Sequence, residues 1–456
     1  MAKRKKLVLI GAGSAVFTQG MVLDLIRNPG KYKWELALVD IDREVLESIG
    51  KLIKKIIDAK EADIELHTFV DRTEALPGAD YVITTIGVGG RRAWEQDVFI
   101  PRKYGIYQPV GDTAMPGGIS RAMRMVPEMI NIVRDVERLC PKAKFFNYSN
   151  PMSVICRAIK MATSFPVTGL CIGVPGTEWE IADICGLDRS KVSSMAVGVN
   201  HLTFIYKIRY DGEDAKPLLS KKVDELYKAE ISSDVLDKFY TGDDPEAGFR
   251  SIGEPFGWSF FKQHGVFPAP GDRHVTEFLT ELFPRGSYYG KILGIDAYSF
   301  EGTIKFGDMI HDKMMEAANS PDPLPDDYFK NIHGEHALLM EIIDAIECDS
   351  RQMFSANLPN NGAVRNLPYD AVLEMPAVAT SEGLRPMMIN DFPDVLTPYI
   401  TKALGIFELT AYAAVHGDRK YMEEAILAGG YISDRNAVSK MVDELLEAQK
   451  QYLPQF

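Results

Sequence analysis

A cysteine and a histidine lie at positions where they could bind a metal ion. Cys171 ends the apolar run of "VTGLCIGVPGTEWE", and His201 belongs to "VGVNHLTF", 30 residues further along the chain. A thiolate and an imidazole suit a transition metal ion better than they suit Mg²⁺. Their separation does not match zinc-finger spacing, so the residues alone leave a second interpretation open, in which both side chains are structural.

A glycine-rich turn near the start of the chain could bind a phosphate group. In "KKLVLIGAGSAVFTQG" a buried-type strand, Leu7–Ile10, leads into Gly11 and Gly13, and a helical pattern follows. Glycines let the backbone approach a pyrophosphate, which the positive end of the helix then stabilises. Val16 occupies the third glycine position of the usual dinucleotide-binding motif, so a turn without a ligand is the alternative.

An acidic residue at the end of the second predicted strand is typical of a dinucleotide site. "WELALVD" ends at Asp40, 27 residues after Gly13, where a carboxylate can accept hydrogen bonds from a ribose diol and would repel a 2′-phosphate. This favours NAD over NADP, and the alternative is that Asp40 only caps the next helix. Thr85, near the end of the fourth predicted strand, should line the same crevice. The predicted cofactor-binding residues are Gly11, Gly13, Ser14, Asp40 and Thr85.

Strands and helices alternate through the first part of the chain, which predicts an α/β fold with a parallel sheet. Ligands of such sheets bind at the carboxyl ends of the strands. Asn150 follows the predicted strand "AKFFNYS" and Cys171 closes the next, "FPVTGLC", so both should face that crevice. The pattern changes near residue 196, which predicts an N-terminal Rossmann domain over residues 1–195 and a C-terminal α+β domain over residues 196–456.

The composition indicates a globular protein whose partners are small molecules. The 456 residues exceed the usual size of one domain, and 46% hydrophobic with 25% charged residues are ordinary values for a folded chain. A net charge of −13 argues against binding to nucleic acid or to a membrane through a polybasic segment. Five scattered cysteines, no signal-peptide pattern and no apolar run of membrane-spanning length predict a cytoplasmic protein.

A series of short motifs, taken in order, closely resembles glycoside hydrolase family 4. They are "GAGS", "GVGGRRAWEQDVFIPRKYG", "GDTAMPGGISRAMRMVPE", "SNP", "GLCIG", "GVNH" and "GDRHVTEF", and the resemblance covers nearly the whole chain. It implies a glycosidase that uses NAD and a divalent metal ion, usually manganese. It also implies a fold like that of lactate and malate dehydrogenases. We further expect a homodimer or homotetramer.

The resemblance implies roles for the residues of the site. Cys171 and His201 would hold Mn²⁺ or another divalent transition metal ion, together with O2 and O3 of the sugar. NAD would take a hydride from C3, a base would remove the C2 proton, and the aglycone would leave by elimination before the hydride returns. Asp272 matches the base, and its alternative is a loop carboxylate paired with Arg273. His274 is a second candidate for the base or for a substrate contact.

The residue after the metal-binding cysteine departs from the family pattern. Known branches carry histidine, aspartate or asparagine there, whereas Ile172 cannot protonate a leaving group. Asp112 of "VGDTAMPGG" is the candidate donor in its place, and the alternatives are that the aglycone leaves without a donor or that the substrate is unusual. Asn150 matches the family asparagine that bonds the sugar hydroxyls, with a turn cap as its alternative. Arg124 matches the arginine of the family motif "ALRTIP" and is predicted to contact the substrate.

The motifs favour an unphosphorylated glycoside of the glucoside, galactoside or uronide type. The "CDMP" and "CNVP" patterns of the phosphoglycosidases are absent, and "GDRH" favours the other branch. Six arginines could bind an anionic group at C6, such as a carboxylate or sulfonate. They are Arg91, Arg92, Arg102, Arg121, Arg124 and Arg273. Two other functions stay open: a sugar or hydroxy-acid dehydrogenase that releases NADH, and a non-catalytic nucleotide-binding protein.

Three segments of the second half carry structural predictions. Residues 239–274 are rich in glycine and aromatic residues and predict a loop over the site, whose rings would stack on sugars. "MPAVATSEGLRPM", residues 375–387, predicts a strand and a turn. "LTPYITKALGIFELTAYAAVHG", residues 396–417, predicts a long apolar helix packed in the core, with an oligomer interface as the alternative.

Overall fold

Apolar segments such as Leu7–Ile10 lie at the centre of one mixed β-sheet in the computed structural model, which describes residues 3–228, 254–329 and 336–456. Strands β1 to β15 of these residues are Lys3–Ile10, Tyr32–Val39, Ile64–Phe69, Tyr81–Thr84, Lys144–Asn147, Val167–Gly169, Val192–Val199, Leu202–Tyr210, Glu213–Asp214, Phe267–Ala269, Ser287–Tyr288, Lys291–Ile292, Met353–Pro359, Val372–Thr380 and Gly383–Pro386. Helices α1 to α15 of the same residues are Phe17–Arg27, Arg43–Ala59, Arg72–Ala75, Gly90–Arg102, Met115–Leu139, Met152–Ala162, Gly173–Cys185, Lys216–Lys228, Pro255–His264, Asp272–Val275, Phe300–Asn319, Leu339–Glu347, Thr397–His416, Arg419–Gly429 and Arg435–Gln449.

The first six strands pair in parallel, in the order β3-β2-β1-β4-β5-β6. This is the strand order of Rossmann dinucleotide-binding domains, and it confirms the predicted α/β class. Leu7, Val8 and Leu9 of the central strand are 0% exposed, as expected where helices cover both faces of a parallel sheet. The carboxyl ends of β1, β2 and β4 therefore meet at one edge of the sheet.

The sheet continues beyond the parallel half without interruption. β13 is antiparallel to β6, with Asn357 opposite Gly169, and β14 is antiparallel to β7, with Glu374 opposite Gly198. From there the order is β13-β14-β7-β8-β10. Strand β7, Val192–Val199, runs across residue 195, so the predicted division of the chain falls inside a strand.

The prediction of a loop over residues 239–274 is wrong for its described part. Residues 239–253 of this segment lie outside the described residues, but Pro255–His264 form helix α9. Proline is favourable at the first position of a helix, and Trp258 and Phe261 are buried in one cluster with Phe267. These aromatic rings form core, and the sequence pattern missed them because the helix is short and glycine lies within it.

The other two structural predictions are confirmed. β14 and β15 form a hairpin, with Thr380 opposite Gly383. Helix α13 packs against α5, α6 and α14 and buries Ile400, Phe407 and Ala411, which favours core packing. β6 ends at Gly169, so Cys171 follows the strand rather than closing it. Among the described residues, no helix combines the length and the apolar character needed to cross a membrane.

A buried carboxyl group lies where the two halves of the sheet meet. Glu374 is 2% exposed, and its oxygens accept hydrogen bonds from Asn200 Nδ2 at 3.4 Å and from the Thr203 and Ser355 hydroxyls at 3.3 and 3.5 Å. Burial raises the pKa of Glu374 to about 7, although these hydrogen bonds act to lower it. The folded protein therefore favours the protonated carboxyl group below neutral pH.

Glu374→Gln should flatten the dependence of stability on pH. The folded-state pKa of about 7 exceeds the ordinary value of 4.5, so the wild-type contribution is complete below about pH 4.5 and is lost as pH rises through 7. Glutamine stays neutral, and the variant should gain about 2–3 kcal/mol relative to wild type between about pH 5 and 8.5. Thermal unfolding across this range measures the gain. The exposed Glu382→Gln is the control, and parallel curves for wild type and Glu374→Gln would contradict the prediction.

Candidate functional site

The glycine turn after β1 packs directly against the end of β4. Gly11 has φ +92°, and a Cβ built on it would lie 2.8 Å from the backbone of Thr85 and Ile86. The Thr85 hydroxyl donates a hydrogen bond to the Gly11 carbonyl at 2.9 Å. The Ser14 N–H donates to the same carbonyl at 3.2 Å. Only glycine fits this position, and the turn opens at the carboxyl edge of the sheet.

Asp40 fixes the glycine turn from the end of β2. Its carboxylate accepts the Gly13 N–H at 2.7 Å and the Asp42 N–H at 3.0 Å. Helix α2 is capped by Asp42, whose side chain accepts the N–H groups of Glu44 and Val45. The alternative interpretation of Asp40 as a helix cap is therefore wrong. The structure brings the five residues predicted to bind a dinucleotide together at the carboxyl ends of β1, β2 and β4.

A second group of polar side chains has the geometry of a metal centre. One potential ligand atom each of Asp112, His201 and His274 lies within 4.8 Å of the others, and the two imidazole rings are 4.1 Å apart between centroids. They come from the segment between α4 and α5, the turn between β7 and β8, and helix α10. His201 has φ +69°, a strained conformation for a side chain of this size.

A chain of hydrogen bonds orients His201. Thr113 Oγ1 lies 2.9 Å from His201 Nδ1 and 2.8 Å from Asp112 Oδ1. If Nδ1–H donates to Thr113, the hydroxyl donates onward to the carboxylate, and the lone pair of Nε2 is left for a metal ion. Burial lowers the pKa of His201, and burial together with the nearby His201 and Arg273 lowers the pKa of His274 well below its usual range. Both shifts favour the neutral imidazole, the form in which histidine binds a metal ion.

Cys171 lies at the amino end of helix α7. The Gly173 N–H donates to Cys171 Sγ at 3.3 Å, and a Cβ on Gly173 would lie 3.0 Å from Pro270, just before α10. The thiol is thus close to the segment that carries His274, outside the compact group of three ligand atoms. Ile172 occupies the N-cap position of α7 and has no polar side-chain atom.

Asp272 is held in a buried network. It is 0% exposed and accepts the N–H groups of Phe256 and Gly257 at 2.7 and 2.8 Å and the Tyr288 hydroxyl at 2.6 Å. Burial raises the pKa of Asp272, whereas these hydrogen bonds oppose the rise. It does not pair with Arg273, so the alternative interpretation of Asp272 is wrong. Its carboxylate also fastens the start of α9 to α10.

Asn150 lies beside Asp112 as expected for a residue at the end of β5. Its Nδ2 donates to Asp112 Oδ2 at 3.1 Å, and Arg121 Nε donates to its carbonyl at 3.0 Å. Among the described residues, none donates a hydrogen bond to the buried Asn150 Oδ1. A buried acceptor of this kind is costly, so Asn150 is prepared to accept a hydrogen bond from a ligand.

The structure separates the six candidate arginines into two groups. Four have acidic partners: Arg91 and Arg92 pair with Asp308, Arg102 with Glu301, and Arg124 with Asp97. Within the described residues, Arg121 and Arg273 form no ion pair, and burial lowers the pKa of both guanidinium groups. Arg273 donates to Thr303 Oγ1 at 2.9 Å, and its buried Nε finds no acceptor in the part of the chain that the structure describes. These two cations stand next to Asp112, whose carboxylate attracts both without forming an ion pair with either among the described residues.

Arg124 has a different place from the one predicted. Its side chain and that of Asp97 are both 0% exposed. The guanidinium donates to the two Asp97 oxygens at 2.9 and 2.6 Å and to the Val88 carbonyl at 2.8 Å. All three sides of the group are occupied, so Arg124 joins helices α4 and α5 and does not line the crevice.

Sequence reasoning missed two residues that position the site, Thr113 and Glu277. Glu277 is the acid of "GDRHVTEF" and accepts the N–H groups of Val110 and Gly111. A threonine directly after Asp112 and an acid three residues after His274 were the available signals, but neither contact can be inferred without the fold.

The Rossmann strand order and the cluster of Asp112, His201 and His274 define an α/β protein of the dinucleotide-binding type of fold with a candidate metal centre. Within this class, the chain belongs to the family 4 glycosyl hydrolases. The model of "Family 4 glycosyl hydrolase" matches residues 6–187, and that of "Family 4 glycosyl hydrolase C-terminal domain" matches residues 196–429. The resemblance drawn from the motifs is thereby confirmed.

Two relatives match over nearly their whole length. The alpha-galactosidase of Rhizobium meliloti (strain 1021) is 28% identical, with 99% of this chain and 89% of that protein covered. The alpha-galacturonidase of Thermoanaerobacterium saccharolyticum is also 28% identical, with 97% and 95% covered.

Two solved structures share the fold. A 6-phospho-alpha-glucosidase from gut microorganisms, in complex with NAD and Mn²⁺, has a TM-score of 0.82 at 18% identity, with 100% of both chains covered. Malate dehydrogenase of Cryptosporidium parvum has a TM-score of 0.51 at 14% identity, with 90% of this chain and 99% of that chain covered. The malate dehydrogenase-like fold is therefore confirmed.

Arg124→Met should destabilise the protein by about 3–5 kcal/mol, because it leaves the Asp97 carboxylate buried without its partner. The double variant Arg124→Met/Asp97→Leu should recover most of this loss, since it removes both charges. Thermal unfolding measures both effects, and the exposed Arg92→Met is the control. A normal unfolding temperature combined with weakened glycoside binding would instead support the predicted substrate contact.

Proposed function

We propose that the protein is a glycosidase that depends on NAD and a divalent metal ion and cleaves an unphosphorylated, anionic glycoside of the uronide type. The observation that carries this proposal is the convergence of a glycine-turn crevice, a histidine–carboxylate cluster and two unpaired arginines. Family membership supports the glycosidase activity. A family relative is an alpha-galacturonidase, and a structural relative was solved with NAD and Mn²⁺.

The residues of the crevice suit NAD. Gly11, Gly13 and Ser14 would face the pyrophosphate, because their backbone lies at the amino end of α1. Asp40 would accept the ribose hydroxyls, and its negative charge disfavours a 2′-phosphate. Thr85 would line the crevice from β4. The narrow fit of Gly11 against Thr85 supports this assignment, since no larger residue could form the turn.

The donor atoms near the crevice suit Mn²⁺ or another transition metal ion. Cys171 and His201 would hold the ion, and His274 is a further donor within reach of the His201 imidazole. A thiolate and neutral imidazoles form a donor set of intermediate softness. When bound, NAD supplies a hydride acceptor and the metal ion supplies a Lewis acid.

The side chains of the chain divide the remaining work. Asp272 would hold the proton from C2 of the sugar, and its raised pKa makes it a stronger base near neutral pH. Asp112 would supply the leaving-group proton, because Ile172 has none to give. Asn150 would orient the sugar through its unpartnered Oδ1.

Two cations support an anionic substrate. Arg121 and Arg273 are half-buried beside Asp112, whose carboxylate attracts both, and no acidic side chain among the described residues forms an ion pair with either. A guanidinium without a hydrogen-bonded anion is costly in a poorly solvated site, and a carboxylate held by such groups forms strong, charge-assisted hydrogen bonds. A uronic acid carries a carboxylate at C6 of the sugar. This carboxylate could accept hydrogen bonds from both guanidinium groups.

Hydrolysis in heavy water tests the proposed reaction. Aryl glucosides, galactosides and the corresponding uronides are incubated with NAD, Mn²⁺ and a thiol reductant. The product should carry deuterium at C2 with no accumulation of NADH, because the base exchanges its proton with solvent. Asp272→Asn should lower kcat about 10²–10⁴-fold, since an amide cannot accept the proton.

The exposed Asp211→Asn is the control for this substitution. Retention of the original hydrogen at C2 would indicate direct displacement. A stoichiometric build-up of NADH would indicate an ordinary dehydrogenase. Binding of NAD without release of sugar from any of the glycosides would indicate a non-catalytic protein.

Arg273→Met should reduce activity on the aryl uronide selectively. Loss of a charge-assisted hydrogen bond costs about 1.5–3 kcal/mol, so kcat/KM for the uronide should fall roughly 10–150-fold. For the neutral galactoside it should change by less than about threefold, because no carboxylate is present there. Arg91→Met is the control, since Arg91 is paired with Asp308. Equal losses on both substrates would contradict an anionic C6 group as the ligand of Arg273.

A further inference from the structure

We infer that Glu277 is a positioning residue that sets the place of Asp112 and His201 through the backbone of Val110 and Gly111. The inference rests on the proposed function for its catalytic meaning, but its geometry stands independently. Glu277 contacts neither the dinucleotide crevice nor the three-residue cluster directly. Glu277 holds the chain segment that carries Asp112, a member of the cluster, and Thr113, which orients His201.

The contact is short and fully enclosed. One oxygen of Glu277, Oε1, accepts the Val110 N–H at 2.8 Å and the Gly111 N–H at 2.7 Å. The Glu277 residue is 2% exposed. Two adjacent backbone donors that share one buried acceptor would both lose their partner if that oxygen moved. Each buried, unsatisfied donor costs about 1–3 kcal/mol.

The conformation of the segment depends on this acceptor. Gly111 has φ +62°, and a Cβ on it would lie 2.7 Å from Val98 Cγ2. The Val110 carbonyl accepts Trp94 Nε1 at 2.8 Å. The backbone is thus held by Trp94 on its carbonyl side and by Glu277 on its N–H side, and the next residue along the chain is Asp112.

Beyond Gly111 the connection reaches His201 in two steps. Asp112 Oδ1 accepts the Thr113 hydroxyl at 2.8 Å, and that hydroxyl lies 2.9 Å from His201 Nδ1. A shift of the segment would move both Asp112 and Thr113 and leave His201 without its orienting partner. Groups of this kind typically change metal affinity by about 10–100-fold when they are removed.

The same C-terminal segment supplies the other side of the site. Helix α10 and the two residues after it carry Arg273 and His274 as well as Glu277. One short stretch of the C-terminal half therefore brings two side chains into the cluster region and clamps the N-terminal segment that faces them. Glu277 therefore fixes the position of residues 110–113 relative to Arg273 and His274.

Charge is not required for this role. Burial raises the pKa of Glu277 to about 8, because the carboxylate would lie in a dry environment near Asp112. A neutral carboxyl group still accepts both N–H groups through its carbonyl oxygen. The reach of the side chain, rather than its negative charge, should therefore decide whether the segment is held.

Two conservative variants separate reach from charge. Glu277→Gln keeps the length and one acceptor oxygen but cannot ionise, whereas Glu277→Asp keeps an ionisable carboxyl group and is one methylene shorter. Mn²⁺ is titrated calorimetrically into each variant in the presence of NAD. Glu277→Gln should bind Mn²⁺ within about threefold of wild type, and Glu277→Asp should bind about 10-fold more weakly. Cys171→Ser is the control for loss of a ligand, and Glu347→Gln is the control for a half-buried carboxylate elsewhere, paired with Lys5.

Amide hydrogen exchange of residues 108–114 provides the second measurement. Exchange should be faster than wild type in Glu277→Asp and unchanged in Glu277→Gln, since the segment is released only when the acceptor cannot reach it. The opposite order in either measurement, or wild-type behaviour of both variants, would overturn the inference. If Mn²⁺ binds wild type and Cys171→Ser equally, the proposed metal site fails, and the exchange data still decide whether Glu277 holds the segment.

Discussion

The site depends on one constraint, the continuous hydrogen bonding of the sheet from its parallel to its antiparallel part. Gly169 pairs with Asn357, and Gly198 pairs with Glu374. The segment after β6 carries Cys171, and the turn after β7 carries His201, so these two pairings fix where both residues stand relative to the crevice. A slip of one residue in either pairing would turn alternate side chains to the opposite face of the sheet.

Burial then gives the site its electrostatic character. Desolvation raises the pKa of buried carboxyl groups such as Asp272 and lowers the pKa of His201 and His274. The same burial surrounds Arg121 and Arg273, which form no ion pair among the described residues although Asp112 lies nearby. The site therefore combines imidazoles whose neutral form is favoured with guanidinium groups that have no hydrogen-bonded anion. Such a combination is costly in a poorly solvated environment unless a ligand supplies the missing interactions.

The sequence predicted local features well, because they depend on short-range patterns. The buried strand Leu7–Ile10, the glycine turn and Asp40 at the end of β2 all follow from periodicity and spacing. The sequence could not show which arginines form ion pairs, because Arg91 pairs with Asp308 and Arg102 with Glu301, each about two hundred residues away. Arg124 was misjudged for the same reason: a family motif shows which residue is present and does not show that Asp97 occupies its guanidinium. Long-range pairing is decided by the fold alone.

The departure at Ile172 becomes understandable from these contacts. Ile172 is the N-cap residue of α7, and its carbonyl accepts the Gly176 N–H at 2.7 Å, so its backbone is used by the helix while its side chain offers no proton. Asp112, in contrast, is joined to Thr113, His201 and Asn150 and stands beside two cations. A proton donor in that position draws on groups from both halves of the sheet. In this chain the leaving-group proton would therefore come from Asp112, in the segment that Glu277 holds, and not from residue 172 at the start of α7.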